Sequence, residues 1–186
     1  PPHELWSGRR EELFGAGLAA LPEDFPLLLK LLDARQHLSV QVHPPAAAAA
    51  RLGGEAKTEM WYVLSAAPGA RLFVGLREGV TREGFERAMA AGETEDALHV
   101  LEPAAGEFLF IPSGRLHAIG AGLRLFEMQQ NSDTVYRVFD WNRVGLDGSP
   151  RELHTAEALE CIDFGDLEPA MGTAEGEVLV HCEHFR

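Results

Sequence analysis

Cysteine is nearly absent from this 186-residue chain. Cys161 and Cys182 are the only two, and their separation fits neither a metal-binding pair nor a redox motif. A disulfide-stapled scaffold and a cysteine-rich zinc module are thereby excluded, and reduced thiols in a cytoplasmic protein are the expectation. Positive charge is the second shortage: 16 Lys and Arg stand against 29 Asp and Glu, a formal net charge of −13. A field of that sign repels nucleic acid and anionic membrane surfaces, so neither is expected as a partner. It leaves room for a small anion, because one or two local Arg or Lys residues and a metal ion can hold a phosphate on an acidic protein. No apolar run is long enough to cross a bilayer, and the opening PPHELWSGRR lacks the basic-then-apolar pattern of a signal peptide. Internal repeats and low-complexity linkers are missing as well.

What is present is 46% hydrophobic residues, enough to bury one core. A helix is expected around Arg9–Leu21, interrupted by Gly15 and Gly17. Pro26–Asp33 (PLLLKLLD) reads as a buried strand and Leu38–His43 as the next. Pro44 and Pro45 stop that strand and open a helix over Ala46–Leu52, which Gly53 and Gly54 end. Thr58–Leu64 and Arg71–Leu76 read as a hairpin across Ala67-Pro68-Gly69. Thr81 caps a helix carrying Phe85 and Met89, Gly92 ends it, and a further helical turn covers Glu93–Leu98. Short strands follow at Phe108–Ile111, Leu116–Ile119, Leu123–Gln130 and Thr134–Trp141, then a helix at Thr155–Cys161 and a last strand at Glu177–His184. Many short strands parted by Gly/Pro turns indicate an all-β sandwich or barrel with a few peripheral short helices.

Residues two apart on a strand share a face, so Ser39, Gln41 and His43 lie together, as do Lys57 and Glu59. A Pro/Ala/Gly-rich connection lets these groups converge, and His117 arrives later, after the turn in IPSGRLHAIG. Two imidazoles, one carboxylate and an amide oxygen suit a hard-to-borderline divalent metal. The other histidines, His37 and His154 among them, have no convergent partners in the pattern.

The pieces QVHP, KTEMWY, IPSGRLHAIG and QQNSDTVYR, in this order, resemble the type I mannose-6-phosphate isomerases. FPLLLKLLDA upstream, and Asp140, Trp141, Arg143 and PRELH downstream, extend the match from about Phe25 to Phe164. The resemblance implies a cupin jelly-roll barrel, with residues 1–165 as the catalytic domain and 166–186 as the start of a small C-terminal β extension. It implies one divalent ion, zinc or a similar metal, on Gln41, His43, Glu59 and His117. The implied substrate is a small sugar phosphate, interconverted between mannose 6-phosphate and fructose 6-phosphate by a monomer or homodimer. Lys57, Arg137 and Glu127 fall in the implied active site, with Ser39 on the substrate side.

Moving a proton between C1 and C2 through an enediol(ate) needs a base, an electrophile for the oxyanion and a phosphate clamp. The Arg137 fork suits a phosphate or the enediolate, and Lys57 suits proton transfer or a compact phosphate contact. Asp133, in the bend before Arg137, is the preferred carboxylate partner or base, or else a turn-former. Glu127 reads as an orienting acid, or as a buried partner of Arg124 or Arg137. Ala56 departs from the family, many of whose members carry His there, so ring opening would fall to Lys57, Asp133 or a metal-bound water. Two other readings are a non-catalytic metal-containing cupin that binds a sugar phosphate, and a redox cupin oxygenase. Gln41 and the KTE and SD-x-x-x-R pieces argue against the oxygenase, which needs an iron facial triad with open positions.

Overall fold

The computed structural model describes residues 2–15, 24–144, 148–173, 176 and 178–185. Among the described residues, ten strands form two five-stranded antiparallel sheets. The first holds β1 (Leu27–Ala34), β8 (Leu123–Gln130), β3 (Glu59–Ala66), β6 (Glu107–Ile111) and β10 (Gly172–Thr173), in that spatial order. The second runs β5 (Leu98–Leu101), β4 (Leu72–Leu76), β7 (His117–Ile119), β2 (Val40–Val42) and β9 (Tyr136–Phe139). Orders 1-8-3-6 and 5-4-7-2 make a double-sheet jelly roll, with β10 and β9 added at the edges.

The expected cupin fold holds in its all-β class, but the sheets do not close into a barrel. Among the described residues no strand pairing joins one sheet to the other. They are held instead by side chains between them: Trp61, Val63, Leu109 and Leu125 on the first sheet, Leu72, Val74 and Ile119 on the second, all almost fully buried. The outer face of the second sheet is covered by α2 (Ala46–Leu52), α3 (Arg82–Ala91) and α4 (Thr155–Cys161), whose Ala48, Phe85 and Ala158 pack on Val40, Phe73 and Leu98. One end of the inter-sheet space is therefore apolar, and the polar residues gather elsewhere.

Local sequence explains most elements. Gly53 ends α2 in the left-handed region at φ 74°, where a side chain would strain the backbone. Thr81 caps α3 by accepting from the Gly84 amide at 3.1 Å. Three expectations are corrected. The hairpin of Thr58–Leu64 with Arg71–Leu76 does not form: β3 and β4 lie in different sheets, because the turn through Ala67–Ala70 carries the chain around a corner. There the Ala67 amide bonds to Gly122 rather than across to β4. The Pro26–Asp33 stretch is a strand but only half buried, since β1 is an edge strand and Leu29 and Leu31 point outward at 53% and 73% exposure. The last strand is absent over residues 178–185, which run in bends, with Cys182 bonded back to Phe185; Glu177 lies outside the described residues. The first helix, α1, spans Pro2–Phe14 with a break at Arg9, while residues 16–21 of the expected Arg9–Leu21 helix lie outside the described ones.

Candidate active site with a metal-ligand triad

Sheet register brings the candidate ligands together. Gln41 on β2 pairs directly with His117 on β7, and Glu59 opens β3 on the facing sheet. The glycine turn before β7 ties the first histidine to the second: the Gly114 amide donates to the His43 carbonyl at 2.9 Å, with Gly114 at φ 92°. His43, Glu59 and His117 are each about 1% exposed, and their ligand atoms lie within 4.8 Å of one another.

Both rings are oriented from behind. His43 Nδ1 donates to the Thr134 carbonyl at 3.0 Å, and His117 Nδ1 donates to the Arg115 carbonyl at 2.9 Å. Each Nε2 therefore faces the carboxylate, His43 at 3.4 Å and His117 at 3.5 Å from Glu59. His43 Nε2 and Glu59 Oε2 are buried with no hydrogen-bond partner. Burial drives the His117 pKa down to about 3 against the pull of Glu59, so this imidazole is neutral at physiological pH. Burial alone would raise Glu59, yet His43, His117 and Lys57 outweigh it and hold the carboxyl well below the usual range. A neutral His117 imidazole, an ionised carboxylate and the His43 ring turned toward it by the Thr134 carbonyl form the donor set that a divalent ion requires. Gln41 sets its amide 3.3 Å from His117 Nε2, and a half-turn about its terminal bond would present Oε1 there as a fourth donor.

Beside the triad is a pocket of about 160 Å³ that Lys57, Trp61, Glu127, Lys30, Gln41 and Ser39 help to line. Lys57 Nζ is 3.2 Å from Glu59 Oε2, and its side chain is 5% exposed. Glu127 meets neither Arg124 nor Arg137. Facing Lys30 in register on β1, it takes an ion pair from it at 2.9 Å and a hydrogen bond from Trp61 Nε1 at 3.1 Å. Lys30 also donates to Gln129. An outer cleft of about 610 Å³ shares Leu38, Ser39, Gln41 and Val135 with the pocket. Arg35, Arg137, Arg143 and Arg151 line it against Asp33 and Asp133. Arg137 donates to Ser39 Oγ at 3.3 Å and to the Glu152 carbonyl at 2.8 Å. Burial, then the neighbouring Arg151, lowers its pKa from the ordinary arginine value.

The scan against known families matches residues 3–65 to the type I phosphomannose isomerase catalytic domain. The mannose-6-phosphate isomerase of Streptococcus mutans is 42% identical over 174 residues, covering 93% of this chain and 53% of that protein. The chain is similar to the type I phosphomannose isomerases. Mannose-6-phosphate isomerase ManA of Bacillus subtilis is 38% identical over 98% of this chain and 59% of its own. The crystal structure of the mannose 6-phosphate isomerase from Bacillus subtilis superposes with a TM-score of 0.84 at 33% identity, covering 98% of this chain and 60% of that one. The chain thus spans just over half the length of the curated relatives it matches.

Against the sequence expectations, the structure gathers Gln41, His43, Glu59, His117, Lys57, Ser39 and Glu127 around one pocket and sets Arg137 in the adjoining cleft. Asp133 is apart from them. It is exposed on the cleft, and among the described residues no ion pair joins it to Arg137. Ala56 borders a different hollow, with Phe25 and Asn131, so its place relative to the pocket offers no substitute for a histidine. Sequence reasoning missed Lys30, the cleft residues Arg151 and His37, and the contact of His154 with Arg137. One signal was available: the whole chain has only two lysines, Lys30 and Lys57, and both border the pocket.

Proposed function

We propose that the chain carries the metal-dependent aldose–ketose isomerase centre that interconverts mannose 6-phosphate and fructose 6-phosphate. The observation that carries this reading is the buried His43–Glu59–His117 triad with two orphaned atoms, opening onto a pocket continuous with an arginine-lined cleft. The donor set of two imidazoles, one carboxylate and the Gln41 amide suits zinc or a similar divalent ion. When bound, the ion supplies Lewis-acid polarisation of substrate oxygens.

The chain's own residues divide the remaining work by position. Arg137, held by Ser39 and the Glu152 carbonyl, keeps its fork in the cleft for the phosphate or a developing oxyanion. The sugar's C1–C2 end is assigned to the inner pocket beside the triad. Lys57 is the group placed to move the C1/C2 proton, as the buried amine between Glu59 and the pocket. Glu127, fixed by Lys30 and Trp61, orients the sugar hydroxyls rather than taking the proton. Asp133, exposed on the outer cleft, is given no proton-transfer role in this reading. A cytoplasmic setting goes with this reading: relatives are named mannose-6-phosphate isomerase, and among the described residues no helix is long and apolar enough to cross a membrane.

A coupled assay with mannose 6-phosphate, run before and after chelation, tests the reading. Turnover is expected to disappear on chelation and return with zinc. Normal turnover in metal-free protein would sink the metal role, and none after zinc is restored would sink the enzyme role. The alternative, a cupin that only binds a sugar phosphate, predicts binding without turnover.

A further inference from the structure

The turn after β9 carries backbone strain that the triad does not require. Trp141 and Asn142 both sit in the left-handed region, each at φ 54°, which is uncommon for residues other than glycine. The turn grips the cleft wall. Trp141 Nε1 donates to the Leu38 carbonyl at 2.7 Å and Arg143 Nη1 to the His37 carbonyl at 2.6 Å, while the Trp141 ring lies 4.9 Å from His37.

Behind this turn Asp140 is only 6% exposed. Its Oδ1 accepts from Arg143 Nη2, and both its oxygens accept from the fork of Arg151, Nε at 2.7 Å. Arg151 begins the segment 151–154 that braces Arg137 from outside. The Glu152 carbonyl accepts from Arg137 Nη1, the His154 amide donates to the Arg137 carbonyl at 2.8 Å, and the Arg137 amide donates to His154 Nδ1 at 3.3 Å. One buried carboxylate thus ties together the turn that holds the cleft wall and the segment that holds Arg137.

We propose that Asp140 is a positioning residue that sets the anion affinity of the outer cleft by latching Arg143 and the Arg151–His154 segment in place. The proposal rests on the reading above, in which this cleft takes the substrate's phosphate. It makes a prediction whose sign separates it from simple electrostatics. Deleting a negative charge beside three cleft arginines would, by Coulomb's law alone, tighten anion binding. Loss of the latch instead lets the arginines leave their alignment and weakens it.

The test uses the zinc-loaded full chain and the isosteric Asp140→Asn variant. Inorganic phosphate binding is measured by calorimetry at constant ionic strength, and KM and kcat with mannose 6-phosphate. Phosphate Kd and KM are expected to rise about tenfold, the scale of one charge-assisted hydrogen bond, while kcat changes less than about threefold. Tighter or unchanged phosphate binding overturns the proposal, as does a fall in kcat at constant KM. Arg151→Lys guards against a folding failure, because that side chain is half exposed and keeps its charge while losing the fork. It should weaken phosphate in the same direction, and wild-type affinity in it overturns the latch. A wild-type chain that neither binds phosphate nor turns over overturns the functional reading and this one together. A wild-type chain that does both, matched by Asp140→Asn, overturns only this one.

Discussion

Chelating the ion is expected to lower the thermal midpoint by several degrees, independently of any turnover. Without metal, His43 Nε2 and Glu59 Oε2 are buried with no hydrogen bond, and Glu59 Oε2 has only the Lys57 ion pair at 3.2 Å. An unsatisfied buried polar atom costs about 1–3 kcal/mol, so the apo centre carries a penalty that the ion relieves. A ligand that binds only the folded chain, at one hundred times its Kd, stabilises by about 2.7 kcal/mol. For a domain of this size each kcal/mol moves the midpoint by about 2–4 °C, which puts the expected shift at about 5–11 °C. Scanning calorimetry on stripped and zinc-reconstituted protein measures it, with zinc content verified on the same samples. His43→Ala should abolish the shift, since it removes one of three donors that meet within the triad. A zinc-dependent shift below about 1 °C, or one that persists in His43→Ala, would refute the assignment of the ion to these residues.

Four further outcomes are expected. In the stripped protein, burial holds His117 near pKa 3 against an unfolded value near 6.5, so between these the unfolded chain binds the extra proton. Stability should then fall as pH drops from about 6.5, on the order of 1 kcal/mol per pH unit, with Glu59 adding loss in the same direction below about 4.5. Urea titrations that gave equal stability at pH 7.5 and pH 5 would contradict this. Amine acylation followed by peptide mass mapping should modify Lys30, at 36% side-chain exposure, well before Lys57 at 5%; equal rates would contradict the pairing described for Lys57. Lys57→Met should lower kcat by about 10²–10⁴-fold, the range of a general acid–base group, whereas Asp133→Asn should change it little; the reverse order would exchange their roles. At pH 8 an aromatic disulfide reagent should titrate Cys182 promptly and Cys161 only after denaturation, because burial raises the Cys161 thiol to about 11; two fast thiols would disprove its burial.

Much of the site was legible because its signals are local. Alternation on a strand puts Gln41 beside His43 and Lys57 beside Glu59 whatever the rest of the chain does. Gly53, Gly92 and Thr81 mark helix ends through backbone and side-chain preferences that act within one turn. Facts that depend on register were not legible. Lys30 meets Glu127 because β1 and β8 pair Leu27 with Gln130, 103 positions apart in their numbering, and no local pattern encodes that offset. The same holds for the turn after β3, read as a hairpin from its Ala-Pro-Gly sequence although the corner leads to the other sheet.

By itself the sequence determined the donor chemistry of this protein: which side chains can ligate, which strands alternate, and how far acidic residues outnumber basic ones. Only the tertiary structure decided which charges face one another. It paired Glu127 with Lys30 rather than an arginine, left Asp133 exposed, and gathered Arg137, Arg143 and Arg151 around one cleft with Asp140 behind them. The physical reason is that ligand type is a property of a residue, whereas an electrostatic partnership is a property of distance and burial. Those distances are set by the pairing and stacking of two sheets whose neighbouring strands are far apart in the sequence.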